Sequence, residues 1–409
     1  MQKAENRDPR FFYGYIVVLL SFCIMLAGDG IFYSFGIFFN PLLVEFGWTR
    51  AATSGAYSLC VIVTGLLSIV VGRLNDRFGP RLILTACGLF LGLGYSLMSQ
   101  VFTIWQLYLL YGLLISMGES SFLVPLQSTV ARWFVRRRGL MTGITMAGVG
   151  VGTATIPPLA SRLISIYGWR ISYVIVGSVI SVFIIIAAQF LRRDPKQKGL
   201  SPYGENDVKG EIIDATVVEL PVREIVHAPR FWLLCVISFC FYFCVATIMV
   251  HVVIHAIGLG IPAVSAANIL AIIGGGSIAG RLILGITADN IGNKLALIIS
   301  CIPMSIALFW LVTIQKEIWM FYLFAAIFGF SYGGIVALKS PVTAELFGLS
   351  SHGVILGITL FAESIGGVIG PVLAGGIFDI TGSYQPAFLI CIALSVTSII
   401  LAIMLSSSR

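Results

Sequence analysis

"GRLNDRFGPR", residues 72–81, is a short run of charge, glycine and proline set between two long apolar stretches. Within it Asp76, placed near a helix N-terminus, opposes the macrodipole and can pair with Arg77 or Arg81. The same plan returns 213 residues later as "GITADNIGNK" (285–294), which sets Gly72 against Gly285, Asp76 against Asp289, Gly79 against Gly292 and Arg81 against Lys294. A second echo, at an offset of 214, sets "GLMTGIT" (139–145) against "GVILGIT" (353–359). Two separated matches at nearly one offset mark a parallel internal repeat.

The stretches on either side of these turns belong in a bilayer. The 409 residues are 58% hydrophobic and 11% charged, with a mean hydropathy of +0.99, whereas soluble domains carry about 25% charged residues. Apolar runs long enough to cross the hydrocarbon core recur twelve times, at about 12–38, 51–71, 82–103, 105–130, 139–164, 171–191, 230–257, 264–288, 295–314, 319–343, 353–378 and 385–405. The first and seventh are irregular enough to kink. The predicted fold is therefore an all-α membrane protein of twelve transmembrane helices. A polar segment at 193–229, partly helical, splits it into six-helix halves at 1–192 and 230–409.

Charge orients the bundle. With a cytoplasmic N-terminus, Lys3, Arg7, Arg10, the arginines at 73–81 and 132–138, and the cations of the linker, including Lys209, all fall inside. Lys294 and Arg409 do so too, against Arg50, Arg162, Arg170 and Lys316 outside. That asymmetry obeys the positive-inside rule and predicts a multi-pass cell-membrane protein with both termini cytoplasmic. The net charge of +7 is then topology plus attraction to membrane lipid, and no nucleic-acid partner is needed. No cleavable signal peptide is evident. The eight cysteines lie in or beside apolar spans without metal-type spacing, so neither zinc nor a disulfide framework is expected. "GVGVG" (148–152) lies inside an apolar span with no preceding strand and is no dinucleotide loop. No cofactor, metal site or nucleophile–base constellation is read, and an enzyme is not expected.

Two motifs carry a resemblance. The first turn, on Gly72, Asp76, Arg77, Gly79 and Arg81, resembles the G-x-x-x-D-R-x-G-x-R signature of the major facilitator superfamily. In that family the turn latches helices in one conformational state, which implies a conformational latch of Asp76, Arg77, Arg81 and Asp289. "WFVRRRGLMTGITMAGVGVG" (133–152) resembles the monocarboxylate transporter signature leading into the fifth helix. The fold so implied is the major facilitator fold.

Within the spans the ionisable residues are Asp29, Glu119, His251, Arg281, Lys339 and Glu363, and an intramembrane charge is a functional candidate with a partner to be named. Arg281 stands out, in "NILAIIGGGSIAGRLILGITAD" (268–289). A guanidinium cannot shed its proton, so burying it is costly unless an anion meets it. Its planar fork suits a carboxylate. Asp29, between Gly28 and Gly30, is the expected resting counter-ion. An entering carboxylate would displace it, and Asp29 would take up a proton. Glu119 is open between tuning charge, relaying a proton and bonding to hydroxyls of neighbouring helices. Lys339 is read as snorkelling, or as paired with Glu345 or Glu363. Tyr332, Phe361, Met146 and Tyr33 are candidate walls for a short carbon chain.

The resemblance adds residue by residue. Monocarboxylate and oxalate transporters carry an eighth-helix arginine followed at the same interval by glycine, here Arg281 and Gly285. Vertebrate monocarboxylate transporters place a first-helix lysine where Tyr33 stands, and an aspartate where Ser277 stands. Oxalate:formate exchangers carry an eleventh-helix lysine at the position of Ala362, so one carboxylate is favoured over two. A seventh-helix histidine near the outer gate is common in the family, which gives His251 a proton or gating role. The expected activity is proton-coupled symport of a short monocarboxylate anion, with L-lactate or pyruvate the family expectation. An anion exchanger or exporter and a non-transporting receptor on the same fold are the alternatives. No ancillary partner is identified.

Overall fold

The computed structural model describes residues 12–204 and 222–405. Lys3, Arg7, Arg10, Lys209, Arg409 and the middle of the 193–229 segment lie outside the described residues. The polar turns are where the chain reverses. Gly79 (φ 83°) ends α2 (Arg50–Phe78) and Pro80 begins α3 (Pro80–Met98). Gly292 (φ 92°) does the same between α8 (Ala263–Ile291) and α9 (Asn293–Thr313). The repeated glycine is thus explained, because a side chain resists that half of φ space.

Among the described residues, eleven continuous segments are long and apolar enough to span. The longest of them, Arg138–Phe190, turns at Gly168 (φ 76°), and so makes two spans, α5 (138–167) and α6 (169–190). The total is twelve. The others are α1 (Gly14–Phe46), α4 (Ile104–Trp133), α7 (Pro229–Gly258), α10 (Ile318–Phe347), α11 (His352–Thr381) and α12 (Gln385–Met404). The helix α1 breaks at Ser34, whose hydroxyl donates to the Gly30 carbonyl at 2.7 Å. The expected kink in α7 is absent, and that helix runs unbroken. The irregular span is instead α4, which starts on a Thr103 capping box, winds as a π-helix over Tyr108–Ile115 and turns again at 120–122. Of the polar segment, Pro195–Lys198 is a 3₁₀ turn and Val222–His227 a helical turn. Tyr203 pins it to the α4–α5 loop, donating from its N–H to the Trp133 carbonyl at 2.9 Å.

Four helices form the rim. On α9 the exposed Leu295, Ile299, Ile302, Ile306 and Phe309 recur at helical spacing, and α6 exposes Val179, Val182, Phe183 and Ile186. Such stripes suit lipid tails and no aqueous surface. The remaining eight helices surround a central opening. They meet closely through glycine: Gly72 of α2 stacks on Gly353 of α11, and Gly139 of α5 on Gly285 of α8. Each pair leaves no room for a methyl group between the two backbones.

Candidate functional site

Beside those glycine pairs sits the latch. Asp289 of α8 accepts from the backbone N–H groups of Gly139 (2.8 Å) and Leu140 (2.9 Å), the unpaired first turn of α5. Asp76 of α2 does the same for Gly353 (3.3 Å) and Val354 (3.2 Å) of α11. Each carboxylate therefore caps a helix that lies more than a hundred residues away in sequence, and joins the first six helices to the last six. The expected pairing of Asp76 with Arg77 or Arg81 does not form. Its cation is Arg132, at 3.2 Å, which also donates to the Leu349 carbonyl. Arg77 lies over the Phe78 ring, and Arg81 bonds Gln189 at 2.9 Å. Arg77 and Arg81 follow Asp76 down α2 and round its turn, so they project away from the α11 end that Asp76 faces. Arg132 was legible only as a topogenic charge.

Deeper in the bundle, a chamber of about 140 Å³ lies between the two sets of helices. It continues into a vestibule of about 440 Å³ lined by Thr153, Pro157, Met249, Leu270 and Pro371, which leads away from the latch end. Tyr33, Tyr57, Tyr242, Tyr332 and Arg281 border both spaces and form a collar between them. Arg281 is only 1% exposed. Its place is made by α5: Gly143 packs on the Arg281 carbonyl, and a methyl on Gly150 would reach Nη1 at 3.2 Å. The guanidinium lies 5.6 Å from the Tyr332 ring centroid, within cation–π range. Its Nε and Nη1 have no hydrogen-bond partner among the described residues.

The chamber also gathers Asp29, Glu119, Lys339 and Glu363. Lys339 bonds both oxygens of Glu363, at 2.7 and 2.6 Å; Glu345 accepts instead from Asn293. Of the three readings of Lys339, pairing with Glu363 is the one formed. Asp29 shares the chamber with Arg281, but no ion pair joins them among the described residues, contrary to the resting pair expected. The fork is left with donors to spare. Glu119 buries Oε1 without a partner, so the hydroxyl bond considered for it is absent at that oxygen.

Among the expected walls, Tyr332, Met146 and Tyr33 line the chamber. Phe361 does not. The face of α11 that looks inward is Leu360, Glu363 and Ser364. Phe361 lies about 100° round from Leu360, and its backbone Cα packs beside Gly65 of α2. His251 is likewise outside both spaces. The inward face of α7 is Tyr242, Val245, Ala246 and Met249, whereas His251 turns to Tyr384 (3.3 Å) and the Pro371 carbonyl (2.9 Å). Tyr57, Thr64, Tyr242 and Ser364 are wall residues that sequence reasoning missed. Mid-span tyrosines were the available signal.

Comparison with known proteins agrees with this architecture. Over 398 residues the chain is 27% identical to monocarboxylate transporter 13 of Rattus norvegicus, covering 94% of this chain and 87% of that one. It is 27% identical over 374 residues to the oxalate:formate antiporter of Oxalobacter formigenes, covering 89% and 85%. The fold matches the crystal structure of the Escherichia coli fucose:proton symporter with a TM-score of 0.72 at 14% identity, over 97% of this chain and all of that one. The sequence profile of the Major Facilitator Superfamily matches residues 18–358 and 258–408, and the chain belongs to that superfamily.

Proposed function

We propose that this major facilitator transporter moves a short monocarboxylate, such as L-lactate or pyruvate, together with a proton by alternating access. One observation carries the reading: a buried guanidinium faces the chamber with donors unpaired, while the other chamber cation is already held by Glu363. Such a fork can take the two oxygens of a carboxylate in parallel, charge-assisted bonds. Tyr332, Met146 and Tyr33 offer the short chain its wall. One free cation argues for one carboxylate rather than two, which speaks against a dicarboxylate exchanger. The proton goes to the carboxylates of the chamber, Asp29 first, as the substrate takes over the cation's charge.

The positive-inside rule supports an assignment of ends. With the latch end cytoplasmic, closed latches and a vestibule at the other end describe an outward-open arrangement, the cell-membrane protein having both termini inside. The test is uptake of radiolabelled L-lactate into proteoliposomes with and without an imposed pH gradient. Gradient-stimulated uptake is expected, and Arg281→Lys, which keeps the charge but not the fork, should lower it by about tenfold or more. Uptake of wild-type size in Arg281→Ala would remove the basis of the reading.

A further inference from the structure

The chamber's charges do not balance, and this bears on how the proton is held. Three carboxylates (Asp29, Glu119, Glu363) face two cations (Arg281, Lys339). Lys339 and Glu363 neutralise each other at 2.7 and 2.6 Å. That leaves one cation for two carboxylates. Arg281 is the cation acting on Asp29. Glu119, 9% exposed with Oε1 unpartnered, has no cation beside it among the described residues. Its titratable neighbours are Asp29 on α1, Tyr57 and Cys60 on α2, and Tyr95 on α3. Across the chamber, among the described residues, stand Arg281, the closed Lys339–Glu363 pair and the phenols of Tyr242 and Tyr332.

Building on the monocarboxylate reading, we infer that Asp29 and Glu119 act as one carboxylate dyad, sharing a single proton in the empty carrier and holding two when an anion sits on Arg281. Like charges in one enclosed site resist joint ionisation, so the empty chamber keeps one proton. The substrate carboxylate then takes the countercharge of Arg281, and a second proton must enter. Each cycle thus moves one proton per anion, whichever carboxylate receives it. The two residues are interchangeable as acceptors, since both share one enclosed chamber with Arg281. Either one can carry the single negative charge that balances the cation when the site is empty, and a proton when it is full.

The experiment is steady-state accumulation of radiolabelled L-lactate in proteoliposomes under a pH gradient of one unit, with the membrane potential clamped at zero. One proton per electroneutral anion gives an accumulation of about tenfold. Asp29→Asn and Glu119→Gln should each run more slowly yet still reach about tenfold. The double variant should reach about onefold while still showing lactate counterflow, because its site carries the anion without a proton. Either single variant at onefold with counterflow intact overturns the dyad and leaves anion binding at Arg281 standing. The double variant at tenfold overturns it as well. Wild type at onefold is a different failure: it overturns proton symport itself, and the dyad with it.

Discussion

Replacing Asp289 by Asn keeps the side chain's size and removes its charge from the α5 cap. In the wild type that carboxylate accepts two bonds across the halves, at 2.8 and 2.9 Å. An amide oxygen can keep one of them as a neutral bond, while its NH₂ group opposes the second N–H. Hydrogen bonds to charged groups contribute about 1.5–3 kcal/mol and neutral ones about 1 kcal/mol. The net loss is therefore at least about 2 kcal/mol, which lowers the ratio of latched to unlatched molecules roughly thirtyfold or more. Nitroxide labels at Leu82 and Leu295, exposed at the starts of α3 and α9, would report the latch-end separation by pulsed dipolar spectroscopy. Asp289→Asn should move population from the short to the long distance by that factor. Asp76→Asn should move more, since Arg132 also loses its nearer carboxylate and keeps only Asp194, at 3.8 Å, as an anion. A change below about threefold in Asp289→Asn would refute the view that these caps hold the halves together.

Gly139→Ala would drive a methyl against the Gly285 carbonyl and within 3.2 Å of Asp289 Oδ1, so the same labels should report a longer latch-end distance. Gly36→Ala, with open space around it, should leave the distance unchanged. Lys339→Ala strands Glu363, whose side chain is 2% exposed, and should cost about 3 kcal/mol of stability, read as a lower melting midpoint in detergent. Adding Glu363→Leu should recover most of that loss.

The spans and the repeat were legible because hydropathy and turn chemistry are local. Gly79 and Gly292 had to be glycine for backbone reasons, and Asp76 and Asp289 had to be acidic to meet helix ends. Arg281 was legible because a fixed cation in an apolar run is costly. What was not legible is the direction in which a residue points around its helix. Phe361 and Glu363 are two positions apart on α11, yet only Glu363 faces the chamber. His251 and Met249 divide α7 in the same way. Tertiary packing decides that choice. The Asp76–Arg132 pair was hidden for a related reason, since the two lie on different helices and meet only where α11 begins.

The widened winding of α4 has a further consequence. Residues 108–115 take more chain per turn than an α-helix does, and everything beyond them is phased by that surplus. Glu119 lies four residues past its end. Were residues 108–115 to rewind as α-helix with every residue kept, each would turn about 100° rather than the smaller angle of the wider helix. The accumulated difference would swing the Glu119 carboxylate out of the chamber with hydropathy unaltered. The placement of a buried carboxylate can thus rest on the pitch of a stretch that contains no ionisable group but tyrosine.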